Sequence, residues 1–440
     1  MFRHTRWPVP VLVALALVTW AHVAGKKIDA AEMSGGNAGQ SGPGSPVPLA
    51  QPSPASGLKS PSSAELCGEC HRAALEAWRP SRHAHAMDSR VFQDVLHYTE
   101  LDLGAPATRT CIGCHSPLVL TTGDASMQTK ISWEGVTCDY CHSMRQVSTK
   151  GPNPEATLEF TRVRTGPWKG ETPSQHGALD TEIHKSSLLC APCHEYRNAL
   201  GFPVISTFSE WQASRYAKEG HECEFCHMPS VGRVALVQQI VPAPTDVERH
   251  SHCPTCHTIN PASAGAGQAP AAGSGLRERG KLNVHDMKGS QTAEMLASAV
   301  QAQLAAVRDG GKVRVNVEVA NRAAGHYVPT GSALRQLILE VHADTEAGQH
   351  LVQQRVYQRI VVDRDAKPIE REYMAFERGA RAISDTRLAP EEKRSEVFWF
   401  DVPPGVHTQV SLAFRYFYSP LGKVQSQKNT TFLKLSTELQ

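Results

Sequence analysis

Every cysteine of the chain belongs to a Cys-x-x-Cys pair that is followed directly by a histidine. The 440 residues contain 12 cysteines and 21 histidines, so no thiol is left over for a disulfide. The twelve cysteines are Cys67, Cys70, Cys111, Cys114, Cys138, Cys141, Cys190, Cys193, Cys223, Cys226, Cys253 and Cys256. The histidines that follow the pairs are His71, His115, His142, His194, His227 and His257. The fold therefore has to form around whatever these six motifs bind.

The spacing within each motif is typical of covalent haem attachment. Two cysteines three residues apart on a helical turn can both bond to one edge of a haem, and the next residue, histidine, can bind the iron. Zinc sites also use Cys-x-x-Cys pairs, but they do not require histidine directly after the second cysteine. A redox-active Cys-x-x-Cys would belong to a thioredoxin-like context, which the sequence lacks. Six complete motifs predict six covalently attached c-type haems.

The histidines outside the motifs are candidates for the sixth position of each iron. Thirteen of them lie beyond the first 25 residues, which is more than six irons need. Ligation of each iron by two histidines suits electron transfer, whereas an open position lets a small molecule bind. Isolated histidines on surface loops more often face solvent, as we expect for His97, His221, His342, His350 and His407. The predicted distal ligands are His83, His176, His184, His252, His285 and His326.

The N-terminus predicts export. Arg3 and Arg6 precede a short apolar run from Pro8 to Ala24, which is typical of a signal peptide over residues 1–25 and is short for a membrane span. An uncleaved N-terminal anchor is the alternative. Both interpretations place the mature chain in the periplasm or outside the cell. The 45 basic residues nearly balance the 43 acidic ones, and this argues against nucleic acid as a partner.

Composition divides the rest of the chain into four parts. Residues 26–64 are rich in Gly, Pro and Ser and predict a disordered linker. Residues 65–258 carry all six motifs and predict a mostly helical or irregular haem domain, in which porphyrins supply much of the buried apolar surface. Residues 259–283 read as a second low-complexity linker, before a helix plus β-sandwich domain over residues 284–440.

Periodicity predicts particular elements in both domains. Helices are expected in the haem domain at Ala73–Trp78, Arg90–Tyr98 and Ser209–Ala217, and an amphipathic helix at Ser290–Val307. Alternating apolar residues then predict strands at Val313–Val319, Leu337–Val341, Gln354–Val362, Glu396–Phe400 and Gln409–Tyr416. Several short strands without cysteine suit an immunoglobulin-like sandwich. The expected fold class is α+β and multidomain, with a haem-packed domain followed by this all-β sandwich.

Three segments resemble the cytochrome c-554-like multihaem proteins. They run from Cys67 through Trp78-Arg-Pro-Ser-Arg-His83-Ala, from Trp133 to His142, and from Cys223 to Pro229. The resemblance spans roughly residues 65–230 and implies that His83, in its Ser-x-His-Ala element, is a distal haem ligand. Gly325-His326-x-x-Pro329-Thr330-Gly331 resembles tail domains of larger multihaem cytochromes, which implies that His326 caps a haem. The sixth motif departs from the tetrahaem pattern of that family.

These features favour an electron carrier with mostly bis-histidine haems over a catalyst. The alternative is a multihaem oxidoreductase that acts on a small nitrogen or sulfur compound at one five-coordinate haem. A structural role, in a conductive fibre or a docked complex, is the third hypothesis. Expected partners are a membrane quinol oxidase or dehydrogenase, or other cytochromes. Attachment to a membrane through the N-terminus and oligomer formation are also open.

Overall fold

The computed structural model of the chain describes residues 60–167, 176–231, 282–290, 292–422 and 427–440. The sixth motif, Cys253–His257, lies outside these ranges, and so do His252, the expected signal peptide and most of both expected linkers. Within the described ranges no helix has the length and apolar character needed to cross a bilayer.

Short helices and small strand pairs make up the part of the chain from Ala64 to His227. The helices are α1 (Ala64–Gly68), α2 (Arg72–Trp78), α3 (Arg90–Leu103), α4 (Ala105–His115), α5 (Leu118–Thr122), α6 (Lys130–Trp133), α7 (Cys138–His142), α8 (Ala191–His194), α9 (Thr207–Gln212), α10 (Arg215–Lys218) and α11 (Cys223–His227), with 3-10 turns at Glu182–Lys185 and Ser187–Leu189. The strands are β1 (Met144–Ser148), β2 (Glu155–Leu158), β3 (Val163–Gly166), β4 (Gly177–Asp180), β5 (Tyr196–Arg197) and β6 (Pro203–Ile205). They pair only two by two, as β1–β2, β3–β4 and β5–β6.

The three helices expected in this region are confirmed, with different ends. The first becomes α2. The second, α3, runs on to Leu103, where Gly104 takes a positive φ of 82° that ends the helix and opens α4. The third is divided into α9 and α10 because Ser214 adopts an extended conformation between them.

The prediction of one helix at Ser290–Val307 is wrong over its second half. Only α12 (Ala293–Ala299) is helical, and Val300–Asp309 forms strand β7. The same apolar residues satisfy both periods, because Val300, Ala302, Leu304 and Ala306 also alternate along a strand. Pairing with the next strand decides between the two, as in the pair Leu304 and Val317.

The C-terminal part of the chain is rich in antiparallel β-structure. After β7 come β8 (Lys312–Asn321), β9 (Arg335–Thr345), β10 (His350–Tyr357), β11 (Arg359–Val362), helix α13 (Glu372–Arg378), β12 (Arg381–Asp385), β13 (Lys393–Asp401), β14 (Thr408–Tyr418) and β15 (Lys428–Leu439). One sheet has the order β13-β8-β7, a second has the order β10-β9-β14-β15, and β11 pairs with β12. The five predicted strand segments are confirmed, except that Gln354–Val362 is divided between β10 and β11.

Both of these larger sheets contribute side chains to one hydrophobic cluster. Alternate residues of β8, from Val313 to Val319, are fully buried in it together with Leu339, Phe398 and Phe414. Strand periodicity places one face of each strand in this core and leaves the other face exposed. The cluster contains no cysteine, so the β-rich region has a core that does not depend on haem.

Direct contacts join the region of the five described motifs, residues 64–227, to the C-terminal region of antiparallel strands, residues 293–439. These two parts are called the haem-motif region and the β-rich region. The Asn198 side-chain amide donates to the backbone carbonyls of Ala375 and Gly379, at 3.1 and 2.7 Å. Arg359 donates to the Val204 carbonyl at 2.7 Å. Around these bonds a second hydrophobic cluster combines residues of both regions, among them Phe202 and Val361.

We predict that Phe398→Ala destabilises the β-rich region by about 3–5 kcal/mol, because it leaves a cavity in the shared core. Phe398 is fully buried, whereas its neighbour Trp399 is 42% exposed. Trp399→Ala is therefore the matched control, with an expected loss below about 1 kcal/mol. Differential scanning calorimetry measures both, and equal losses would contradict the assignment of Phe398 to the core.

Candidate haem sites

Each described motif forms a helical turn that places its cysteines and histidine on one side. In the first motif the His71 amide donates to the Cys67 carbonyl at 2.9 Å, and in the fourth the His194 amide donates to the Cys190 carbonyl at 3.1 Å. The second, third and fifth motifs lie within or at the ends of α4, α7 and α11. The ten described cysteines form no disulfide. This is the geometry that attachment of a haem at each motif requires.

The closeness of cysteines from different motifs shows which motifs are neighbours. The side chain of Cys67 lies beside that of Cys138, so the first motif lies against the third. Likewise Cys114 lies beside Cys193, and Cys190 lies beside Cys223. The fourth motif therefore adjoins both the second and the fifth.

The Tyr140 side chain connects the first and third motifs to the second, fourth and fifth. Tyr140 belongs to the third motif and its side chain lies beside the Cys193 side chain of the fourth. Desolvation of this fully enclosed ring raises the pKa of Tyr140 well above its usual value, so the hydroxyl keeps its proton. All five described motifs thus form one continuous cluster.

Four histidines of the motifs face a second histidine that the sequence predicts as a distal ligand. The ring centres lie 6.1 Å apart for His71 and His176, 6.3 Å for His83 and His194, 6.2 Å for His142 and His285, and 6.3 Å for His227 and His326.

These separations match the space that one iron between two imidazoles needs. A metal–imidazole bond is about 2 Å long, so two such bonds and the distances from each nitrogen to its ring centre add up to roughly 6 Å. Directly stacked rings would be much closer. The residues of these four pairs therefore fit a haem iron held from both sides.

His184 also lies near His142, but both of its ring nitrogens are already engaged. Its Nε2 is 3.0 Å from the carbonyl oxygen of Cys141, and its Nδ1 is 2.9 Å from Oγ1 of Thr181. An imidazole needs a free nitrogen lone pair to bind a metal. The placement of His184 therefore counts against it as a distal ligand. Among the described residues His285 bonds only through Nδ1, to the carbonyl of Asn283 at 2.9 Å, and no described group bonds to its Nε2.

Backbone carbonyls orient most of the paired histidines through Nδ1. These bonds run from His142 to Thr165 at 2.7 Å, from His176 to Gly177 at 2.9 Å, from His227 to Lys288 at 2.6 Å and from His326 to Tyr327 at 2.9 Å. A hydrogen bond at one nitrogen sets the tautomer and leaves the other nitrogen for the metal.

Burial favours the neutral form of three of these imidazoles. Desolvation lowers the pKa of His83 and of His285 to about 4, and that of His194 to about 3. A neutral ring is the form that binds a metal. At neutral pH these three rings therefore need not lose a proton when the iron binds.

His115, in the second motif, has different surroundings from the other four. Its ring stacks on Phe92, with centres 3.7 Å apart and an angle of 3° between the planes, and its Nδ1 bonds to the Ala86 carbonyl at 2.7 Å. A ring stacked face to face orients the imidazole but does not lie across an iron from it. Among the ring pairs of the described residues, none joins His115 to another histidine.

One short segment, residues 282–290, contacts three of the sites. It supplies His285, the Lys288 carbonyl that accepts from His227, and Met287, whose sulfur lies 2.6 Å from Nδ1 of His83. Its backbone pairs with residues 229–231 just after the fifth motif. Sequence reasoning identified His285 but missed Met287 and Lys288, because no pattern marks a residue that acts on a ligand through its main chain or a thioether.

Comparison with known proteins shows similarity in sequence and in fold. Residues 66–143, which include the first three motifs, match the family model described as cytochrome c554 and c-prime. The structure superposes on the crystal structure of a penta-haem cytochrome c552 from Thermochromatium tepidum with a TM-score of 0.61 and 18% identity, covering 86% of this chain and 99% of that one. A structural-genomics target gives a TM-score of only 0.16 at 6% identity, over 32% of this chain and 87% of that one. No curated protein sequence matches the chain.

We predict that His285→Ala converts one haem of the protein from low-spin to high-spin, because it removes the Nε2 opposite His142. His184→Ala is the matched control and leaves the spin states unchanged. Electron paramagnetic resonance of the oxidised protein measures both variants. The opposite result, with a new high-spin haem only in His184→Ala, would reverse the assignment.

Proposed function

We propose that the chain is a multihaem c-type cytochrome and that it is an electron carrier with mostly bis-histidine haems. Haem iron supplies the one-electron chemistry when bound. The observation that carries the proposal is the set of four histidine pairs at 6.1–6.3 Å, since two histidine ligands leave no place for a substrate. In these pairs the predicted distal ligands are His83, His176, His285 and His326.

The contacts between motifs support a path for electrons through the protein. The first motif lies against the third, the third reaches the fourth through Tyr140 and Cys193, and the fourth adjoins both the second and the fifth. The fourth motif, Cys190–His194, is therefore the branch point of the path.

The proposal includes six haems, one for each motif. The sixth motif and His252, another predicted distal ligand, belong to residues 232–281. The described chain on either side of that segment is held together, because the Val231 amide donates to the Leu282 carbonyl at 2.8 Å. Residues 231 and 282, which flank this segment, therefore lie next to each other just after the fifth motif.

We further propose an immunoglobulin-like sandwich for the β-rich region, since two antiparallel sheets share one apolar core. The proposed location is the periplasm or the cell exterior, reached through the N-terminal signal, with membrane attachment through the N-terminus as an open possibility. The proposed partners are a membrane quinol-oxidising enzyme or other cytochromes. The basic and acidic residues nearly balance, so the sequence gives no support for a nucleic-acid partner. Formation of an oligomer is also a proposal.

We predict that loss of the fourth haem, in the double variant Cys190→Ala and Cys193→Ala, interrupts the path. Flash photoreduction followed by absorption spectroscopy measures how fast electrons equilibrate among the remaining haems. We expect equilibration to slow by at least an order of magnitude. Cys67→Ala with Cys70→Ala removes a haem at the end of the path and is the control. Equal slowing of electron equilibration in both variants would contradict the role of the fourth haem as the branch point of the path.

A specific observation favours a second candidate function at the second motif. His115 faces no other histidine within the described ranges, so the sixth position of its iron is the one that a small nitrogen or sulfur compound could reach. Phe92 and the Ala86 carbonyl hold the imidazole in a single orientation. Glu372 lies near Cys111 of the same motif, and burial raises the pKa of its carboxyl, which favours a proton donor there.

For this second candidate we predict one high-spin haem in the oxidised wild-type protein and carbon monoxide binding at one haem of the reduced protein. Absorption and electron paramagnetic resonance spectra measure both. Catalysis would then appear as oxidation of a reduced viologen dye by nitrite, hydroxylamine or sulfite. A purely low-spin protein that binds no carbon monoxide would exclude the oxidoreductase and leave the carrier.

A further inference from the structure

Glu210 forms a buried ion pair between the haem-motif region and the β-rich region. It lies on α9, and its Oε1 is 2.8 Å from Nη1 of Arg387, which follows β12. Both side chains are only 7% exposed. Arg387 also binds Asp385 at 2.8 Å. Buried charges persist only when their hydrogen-bonding groups are well satisfied, and removing one partner of such a pair leaves an uncompensated buried charge.

Glu210 also accepts a hydrogen bond from Oγ of Ser206 at 2.8 Å, and its other oxygen binds the loop that carries His326. Its Oε2 accepts a hydrogen bond from Oγ1 of Thr330 at 2.6 Å and one from the Tyr327 amide at 3.3 Å. Tyr327 directly follows His326 in the chain. One carboxylate therefore binds the loop immediately after His326 and again three residues further on.

Arg387 also contacts the residues that follow His326 in the loop. Its guanidinium lies 4.5 Å from the centre of the Tyr327 ring, and its Nη1 is 3.4 Å from the Pro329 carbonyl. Arginine over an aromatic ring is a favourable contact, most of all when both are shielded from water. The ion pair thus contacts the main chain and the aromatic side chain next to His326.

The loop has no helix or strand of its own to position His326. Residues between Asn321, at the end of β8, and Arg335, at the start of β9, form no helix or strand; the backbone of Val328 pairs with Leu388 in an isolated bridge. Gly325 lies so close to α9 and α10 that a Cβ there would be 3.1 Å from Cβ of Tyr216. Within the loop, Asn321 donates to the His326 carbonyl at 2.9 Å. The position of the His326 ring relative to α11 therefore depends on what the loop binds outside itself.

We propose that Glu210, paired with Arg387, is the positioning residue that holds His326 opposite His227. This inference rests on the proposed coordination of the fifth-motif haem by these two histidines. The rings of His227 and His326 are nearly parallel, at 12°, with centres 6.3 Å apart. Loosening the ion pair lets His326 move away from the iron while the covalent attachment at Cys223 and Cys226 stays intact.

The test uses the full-length holoprotein with Glu210→Ala, with His326→Ala as the reference. We expect both variants to keep the wild-type haem content, to convert one haem from low-spin to high-spin, and to bind carbon monoxide at that haem. Pyridine haemochrome assay and electron paramagnetic resonance give these readouts. The more conservative Glu210→Gln keeps acceptors for Thr330 and Tyr327, so we expect a smaller high-spin fraction or a shifted low-spin signal.

Asp102→Ala is the matched control. Asp102 on α3 pairs with Arg371 at 2.6 Å, which is another ion pair between the two regions, but it does not contact the His326 loop. We expect this variant to keep wild-type spin states. A high-spin haem in Asp102→Ala as well would show general loosening of the two regions and would overturn the specific role of Glu210.

Comparison with the His326→Ala variant distinguishes a failure of this inference from a failure of the proposed coordination by His227 and His326. If His326→Ala forms no high-spin haem, the pairing of His227 with His326 is wrong. If His326→Ala forms one and Glu210→Ala does not, the pairing stands and the positioning role is wrong. Should Glu210→Ala fail to accumulate with its haems, Glu210→Gln and Arg387→Lys decide, and unchanged spectra in both would overturn the role.

Discussion

The arrangement of the protein depends on pairs of imidazole rings that face each other across a gap of about 6 Å, the space for one metal ion. Each pair joins a histidine of one motif to a histidine elsewhere in the chain, from His83 near the start to His326 in the β-rich region. Burial favours the neutral form of several of these rings, and main-chain carbonyls orient most of them. A region of short helices with only small apolar clusters is in this way organised by the groups that it binds.

The β-rich region is well suited to complete these sites because it has a separate core. Its two sheets bury Val315, Leu339 and Phe414 without help from a haem, so it can hold an outlying loop in place. Through that loop it provides His326, and through Arg387 it reaches Glu210. Residues 282–290 add His285 and the Lys288 carbonyl. The segments after the fifth motif therefore contribute to sites whose cysteines lie far earlier in the chain.

Local features of the fold were predictable because they depend on residues near one another in sequence. The alternation in Val313–Val319 identified a central strand, and α2 and α3 were located by their apolar spacing. Ser290–Val307 was predicted incorrectly because its apolar residues suit a helix and a strand equally, and pairing with β8 decides between them. For the haem sites, the sequence identified His285 and His326 as candidate distal ligands. His184 looked equivalent until the structure placed Cys141 and Thr181 at its two nitrogens.

The sequence by itself determined the attachment chemistry, because the two cysteines and the histidine of each motif lie within five consecutive residues and need no other part of the chain. Only the tertiary structure decided which histidine faces which motif, since each distal ring arrives from a segment whose path depends on packing. It also decided that His115 stacks on Phe92 and faces no other histidine in the described parts of the chain. Glu210 had no distinguishing pattern in the sequence, because its role arises from a buried partner 177 positions away.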